Sequence, residues 1–454
     1  MAASPQVKLL KNLIWLYLIL LLLEGALRKW VVPSLSTPLT IIRDPLVILI
    51  YIIANSCRRF PMNGFVMANF LLAAGAYCAS LLAPDTNWVV TLLGLRCYFL
   101  HLPLIFVMEQ TLEAEDIWRM GKFLFWFAIP ETILCVLQFS EPQSAWVNLS
   151  LGGQVTQGMS GALDKFRPSG TFSFTSGVAE FYPMALALLL GFVLTKRKLP
   201  WYLSIAAAVC VVIAIPISIS RTNALTCALV LIVSGAAVFA LPRAPQALVR
   251  IILFVGVVVL IASWLPRFDE GVQTFGARWD DSTGQDVAGF QTNIVARFFT
   301  DLIPPVDILF DAPLTGKGIG IGTPMAQAYL NGARNFTLGE GEWPRVLWEL
   351  GPVLGLAYIF LRIGICLRMV RMAAASLRRE NVWPTILSVQ AFLLVLNSQW
   401  AQATTQGFAT FGAGLAFAAT HMSVARVKVV RRKRVRAPQW SAPDEPLTLP
   451  GSPS

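Results

Sequence analysis

Arginines stand in this 454-residue chain at places where hydrocarbon should discourage them. A guanidinium is a planar fork of donors that stays charged in a poor dielectric and grips phosphate through paired hydrogen bonds. Arg28, Lys29, Arg43, Lys165, Arg167, Arg221, Arg278, Arg297, Lys317, Arg334 and Arg345 lie at the edges of apolar segments, on the side opposite the main basic runs. Cations on that side do not orient the chain, so an anionic lipid headgroup is their natural counterpart. The plainer reading is that several snorkel or pair locally, as Glu24 and Arg28 would at i and i+4. For Arg221 and Arg297 binding is the reading adopted.

Carboxylates supply the complementary chemistry. In Glu340-Gly-Glu342-Trp-Pro-Arg345-Val-Leu-Trp-Glu349, two acids precede a helix whose Pro344 suits the first turn. Glu342 or Glu340 there can act as a general base or orient an acceptor hydroxyl, and Glu342 can equally cap the helix through its dipole. Deeper in the chain, Arg96 and Glu131 fall near the middle of two apolar segments, where a lone charge costs roughly 2.5–3.5 kcal/mol. They are expected to form a buried structural pair. Gly316-Lys-Gly-Ile-Gly-Ile-Gly322 has the look of a phosphate loop, but no Gly-Lys-Ser/Thr follows it, and a flexible turn is the better reading. With His101 and His421 the only histidines, there is no Ser/His/Asp set, no HExxH and no carboxylate-rich metal cluster. Neither a metal nor a cofactor is expected.

These residues must be positioned by helices in a bilayer. The chain is 56% hydrophobic and 13% charged, against roughly 25% charged for a soluble domain. A net charge of +11 raises nucleic acid as a partner, but the basic residues sit in short runs between apolar segments and form no stripe. Apolar segments begin near Leu9, Ile42, Phe65, Trp88, Lys122, Ser176, Trp201, Asn223, Leu248, Pro344, Pro384 and Thr405. Each runs for roughly 14–24 residues, against about 20 needed to cross a membrane. About twelve transmembrane helices in an all-α polytopic protein put both termini on one side. Lys8, Lys11, Arg58, Arg59, Lys196 to Lys198, Arg243, Arg250, Arg368 to Arg379 and the tail from Arg426 to Arg436 make that side cytoplasmic. Helices 1–9 occupy 1–265, with an outer loop at 140–175; a large periplasmic loop fills 266–343, where 287–302 and 324–330 suggest short helices. Helices 10–12 follow in 344–424, and 425–454 is a basic tail expected to be disordered. The first apolar run reads as a retained helix rather than a signal peptide. None of the seven cysteines lies in an outer loop, so no disulfide is expected.

In this order, Glu24-Gly-Ala-Leu-Arg28-Lys-Trp30, Arg43-Asp-Pro45, Gly94-Leu-Arg96-Cys-Tyr-Phe-Leu-His-Leu-Pro103, Phe166-Arg-Pro-Ser-Gly-Thr-Phe-Ser-Phe174, Ser218-Ile-Ser-Arg221, the Arg297 segment, Pro313-Leu-Thr-Gly316-Lys-Gly-Ile-Gly320 and Trp348-Glu-Leu-Gly351 span nearly the whole chain. So arranged, the chain resembles the bacterial O-antigen ligase and polymerase superfamily, in particular its O-antigen ligase-like, exopolysaccharide-polymerising membrane proteins. The resemblance implies twelve helices in the bacterial inner membrane. It also implies a metal-independent, inverting transfer of glycan from undecaprenyl pyrophosphate to an acceptor hydroxyl at the periplasmic face. By matching position, Arg221 and Arg297 would hold the pyrophosphate, with Arg167 or Arg345 assisting. Ligases of the superfamily carry a histidine late in the large loop; here Glu342 or Glu340 stands near that place, which leaves the acceptor open. A polysaccharide polymerase is the preferred reading, with O-antigen ligase and protein O-glycosyltransferase as alternatives. A flippase or transporter of lipid-linked sugar is the rival from another class. Chain-length or export proteins are possible partners; nucleic acid is not expected.

Overall fold

Hydrocarbon obliges each backbone polar group to find a partner within its own segment, and this chain complies by folding into helices. The computed structural model describes residues 4–83, 87–155, 158–195, 199–239, 267–280, 306–323 and 341–422, with residue 326 and scattered positions between 246 and 264. Among these there is no strand; Ser160 and Phe166 form an isolated antiparallel bridge. Helix α1 (Pro5–Ala26) starts where Ser4 accepts the Val7 amide and Pro5 takes the first turn. It continues through a π-helical turn, Leu27–Val31, that carries the buried Arg28 and Lys29. After a 3-10 turn come α2 (Arg43–Ser56) and α3 (Gly64–Leu81), the latter capped by Asn63. Helices α4 (Trp88–Leu95) and α5 (Leu102–Thr111) are joined by a second π-helical turn, Arg96–Leu100.

Helix α6 (Ala114–Ser140) begins earlier than the apolar run near Lys122 suggests. A reciprocal capping box between Glu113 and Asp116 starts it, and Lys11 of α1 bonds Asp116 at 2.7 Å and Glu113 at 3.2 Å. The charged first turns that look like a loop in the sequence are therefore helix. Next come α7 (Thr175–Thr195), α8 (Trp201–Ile217), α9 (Arg221–Val238), the polar α10 (Phe268–Asp280) and the short α11 (Val306–Asp311). Helix α12 (Glu342–Leu377) breaks at Gly351, whose φ of 75° and ψ of 170° no helix contains, just before Pro352. Helices α13 (Trp383–Asn397) and α14 (Ala403–Ala418) close the bundle.

Among the described residues, eight helical stretches are long and apolar enough to span a membrane: Pro5–Val31, Pro38–Ser56, Gly64–Leu81, Trp88–Thr111, Ala114–Ser140, Thr175–Thr195, Arg221–Val238 and Glu342–Leu377. Helices α8 and α13 are apolar but shorter. Every apolar segment named from the sequence carries a helix, except the one near Leu248, which lies largely outside the described residues. The segments at 287–302, most of 324–330 and the tail from 423 also lie outside them. The described chain is thus all-α, with the helices of a membrane protein. Helix α7 is apolar nearly all round and buried to match, touching α6, α8, α9, α13 and α14. It is the post around which these five pack.

Candidate functional site

At the end of the bundle where α7 and α9 begin, a pocket of about 800 Å³ is lined by residues 158 and 160–166 and by Arg278 of α10. Its wall is a hairpin. The Arg167 amide donates to Met159 O at 3.0 Å and the Gly161 amide to Lys165 O at 2.9 Å, on either side of the Ser160–Phe166 bridge. Leu163 and Asp164 turn it with φ of 48° and 56°, a left-handed pair that normally asks for Asn, Asp or Gly, so that Leu163 is the strained member. Such positions cost roughly 1–3 kcal/mol each and survive only where the surroundings fix them.

A second strained turn faces the hairpin. Ile219, buried and β-branched, has φ of 46°. Serines hold it: Ser220 caps α9 by accepting the Asn223 amide at 3.3 Å, and Asn223 Nδ2 reaches Ser218 Oγ at 3.1 Å and Ala214 O at 3.3 Å. This sets Arg221 at the first position of α9, where the helix dipole adds to its charge. Ile219 leans on the hairpin, since a Cβ on Gly161 would come within 2.6 Å of its Cδ1. Helix α10 docks alongside: Lys165 Nζ bonds Glu270 at 2.8 Å, and Gly271 packs on Ile217.

Cations gather here against their own repulsion. Burial first, then the charges of Arg278 and Arg221, pull the Arg167 pKa below its ordinary value. Its buried Nε has no hydrogen-bond partner among the described residues, and its Nη1 lies 3.1 Å from Met159 Sδ, a weak acceptor. A half-buried guanidinium held beside like charges is suited to receive an anion. Arg297 lies outside the described residues, as do Arg334 and Glu340.

The other expected site residues are used differently. Glu342 is 2% exposed. Its Oε1 accepts from Arg362 Nη1 at 2.6 Å and its Oε2 from Arg345 Nη2 at 2.7 Å. Both oxygens of this carboxylate are engaged by buried guanidinium groups, so the general-base role expected for Glu342 gives way to a structural one. Arg345 is spent likewise, bridging Glu342 and Glu349 over the Tyr98 ring, and offers no free fork to a pyrophosphate. The intramembrane pair also needs correction. Arg96 bonds Asp44 and the Thr40 carbonyl, while Glu131 accepts the Thr171 amide. The Asp-Pro that opens α2 brings Asp44 closer to Arg96 than Glu131 comes, and Asp44 also holds His101, whose other nitrogen meets Tyr17.

The glycine loop is no loose turn. The amides of Gly320 and Gly322 donate to the two oxygens of Glu349 at 2.8 and 2.9 Å, so the nest is filled by the chain's own carboxylate. Lys317 lies over the Trp348 ring, and its amide bonds the Trp348 carbonyl. Arg28, Lys29 and Arg43 are buried and bonded, Arg28 and Arg43 both to Glu24. Arg362 was missed in the sequence, although an arginine in mid-segment is the signal that drew attention to Arg96. No family model matches the chain, and no curated protein matches it.

Proposed function

We propose that this protein is a membrane glycosyltransferase that moves glycan from undecaprenyl pyrophosphate to an acceptor hydroxyl. In this reading about twelve helices cross the bacterial inner membrane with both termini in the cytoplasm, and the pocket opens to the periplasm. The observation that carries it is the cluster of Arg167, Arg221 and Arg278 beside a pocket built from two strained turns. The acceptor oxygen attacks the anomeric carbon while the bond to the pyrophosphate oxygen breaks. Arg167 and Arg221 neutralise the charge that grows on the leaving group, with Arg297 in the role the sequence resemblance gives it. With Glu342 engaged, the hydroxyl proton falls to Asp164, the carboxylate that lines the pocket.

The reading is tested with purified protein, a polyprenyl-pyrophosphate-linked oligosaccharide and a glycan acceptor. Arg167→Ala and Arg221→Ala should each lower transfer about 100-fold or more. Arg221→Lys should fail too, because a point charge does not reproduce the fork. Transfer at the wild-type rate by both alanine variants, at normal protein levels, would remove the assignment. Polymerase, the preferred role, is separated from ligase by deleting the gene: single repeat units remain in one case, long carrier-bound chains in the other. A second reading, translocation of a lipid-linked sugar, draws on the break of α12 at Gly351 beside buried charges. Covalent product formed in detergent would dismiss it.

A further inference from the structure

Between the hairpin and α7, the chain does not stay on the surface. Residues 168–174 push in between α1 and α6: Phe172 is 1% exposed, and its backbone lies so close to Gly25 that a Cβ there would meet it at 2.1 Å. Irregular backbone at such depth needs its polar groups satisfied by protein. Side chains of the two helices supply this almost residue by residue. Gln138 Oε1 accepts the amides of Ser169 at 3.1 Å and Gly170 at 2.7 Å. Both oxygens of Glu131 accept the Thr171 amide at 3.2 Å. Lys29 Nζ donates to Ser169 Oγ at 2.6 Å and to the Gly170 carbonyl at 3.0 Å. Gly170 has φ of 55° and no side chain, and the Glu131 carboxylate stands where a Cβ would be.

Arg167 precedes this segment directly, and Pro168 restricts its backbone to extended conformations. An arginine on a loose loop would swing away from Arg221 and Arg278 into water. Something must hold it against that repulsion: the hairpin bonds its amide on one side, and the clamped segment follows it directly on the other. We propose that Glu131, Gln138 and Lys29 are positioning residues that anchor the 168–174 segment and so keep Arg167 beside the pocket. This rests on the reading of Arg167 as a pyrophosphate ligand. It gives Glu131, which has no arginine partner among the described residues, a purpose within the membrane.

The experiment uses the full-length protein in detergent, with farnesyl diphosphate as probe and hydrogen exchange of 159–175 as a second readout. Glu131→Ala should raise exchange in 168–173 and weaken farnesyl diphosphate binding roughly tenfold or more. Glu131→Gln keeps an acceptor for the Thr171 amide and should restore both. Arg167→Ala should weaken binding with the segment still protected. If Glu131→Ala loosens the segment but binding is unchanged, the positioning role is overturned while the ligand role of Arg167 stands. If Arg167→Ala binds normally, or the wild type does not bind, the underlying reading fails and this one with it. Should Glu131→Ala not fold, Gln138→Ala, which removes the acceptor for two amides, bears the same expectations and the same refutations.

Discussion

Replacing Arg362 with alanine tests whether Glu342 is structural. The guanidinium is fully buried and ringed by Trp343, Trp400 and Tyr358, with ring centroids at 5.1, 4.9 and 5.8 Å. It donates to Glu342 at 2.6 Å and to the carbonyls of Val395 and Ser398 at 2.7 and 2.9 Å. Alanine strands the Glu342 charge with Arg345 alone, orphans two carbonyls and leaves a hole among three rings. Breaking a buried pair from one side costs about 3–5 kcal/mol, and each orphaned carbonyl about 1–3. The losses overlap, so about 4–6 kcal/mol is expected, a large part of the roughly 5–15 kcal/mol that holds a protein folded. Removing both charges together should cost much less than the sum. Glu342→Gln, Arg362→Met and their combination form the cycle, read by denaturant unfolding in detergent and by transfer activity per folded molecule. Additive single costs would refute the pair as described. Loss of transfer in fully folded Glu342→Gln would return Glu342 to the chemistry.

Other expectations follow the same logic. Gly320→Ala forces a side chain onto a φ of 96° and toward Val90 O at 2.4 Å, so a loss of about 2 kcal/mol or more is expected in the same unfolding assay. Arg96→Met leaves Asp44 its hydrogen bond to His101 and should cost about 3 kcal/mol; Arg96→Met with Asp44→Asn should recover part of it. The hydrogen bond from Lys165 holds the Glu270 pKa below the usual carboxylate range. A lowered folded pKa contributes stability above the unfolded value, near 4.3 or so, that is lost as pH falls through the folded one. Docking of α10 should therefore weaken in acid, seen as faster exchange in 268–280 below about pH 4. Glu270→Gln should abolish that acid response.

Sequence reading carried the helices well because apolar length is a strong signal, and it weakened wherever charge entered a helix. The start of α6 was hidden by Glu113, Asp116 and Arg119, since salt bridges and a capping box have no hydropathy. Arg96 and Glu131 were rightly singled out as buried, but depth along a segment does not say which neighbour is in reach. Asp44, at the head of α2, stood closer. The Glu24–Arg28 pair was legible because i and i+4 is a local rule. No local rule reports that Glu349 would reach the glycine loop, 29 residues from Gly320. Nor does the sequence warn that Leu163 and Ile219 adopt left-handed backbones, because only Asp164 of the three is a residue type that tolerates them.

Those three residues set stability and activity against each other at one spot. Glycine at position 219 would relax the turn and should raise the melting temperature, yet it would take away the side chain that props Gly161. A selection for heat resistance alone would therefore drift toward glycine or asparagine at 163, 164 and 219. On the proposed function, the hardier proteins it returned would transfer glycan more slowly.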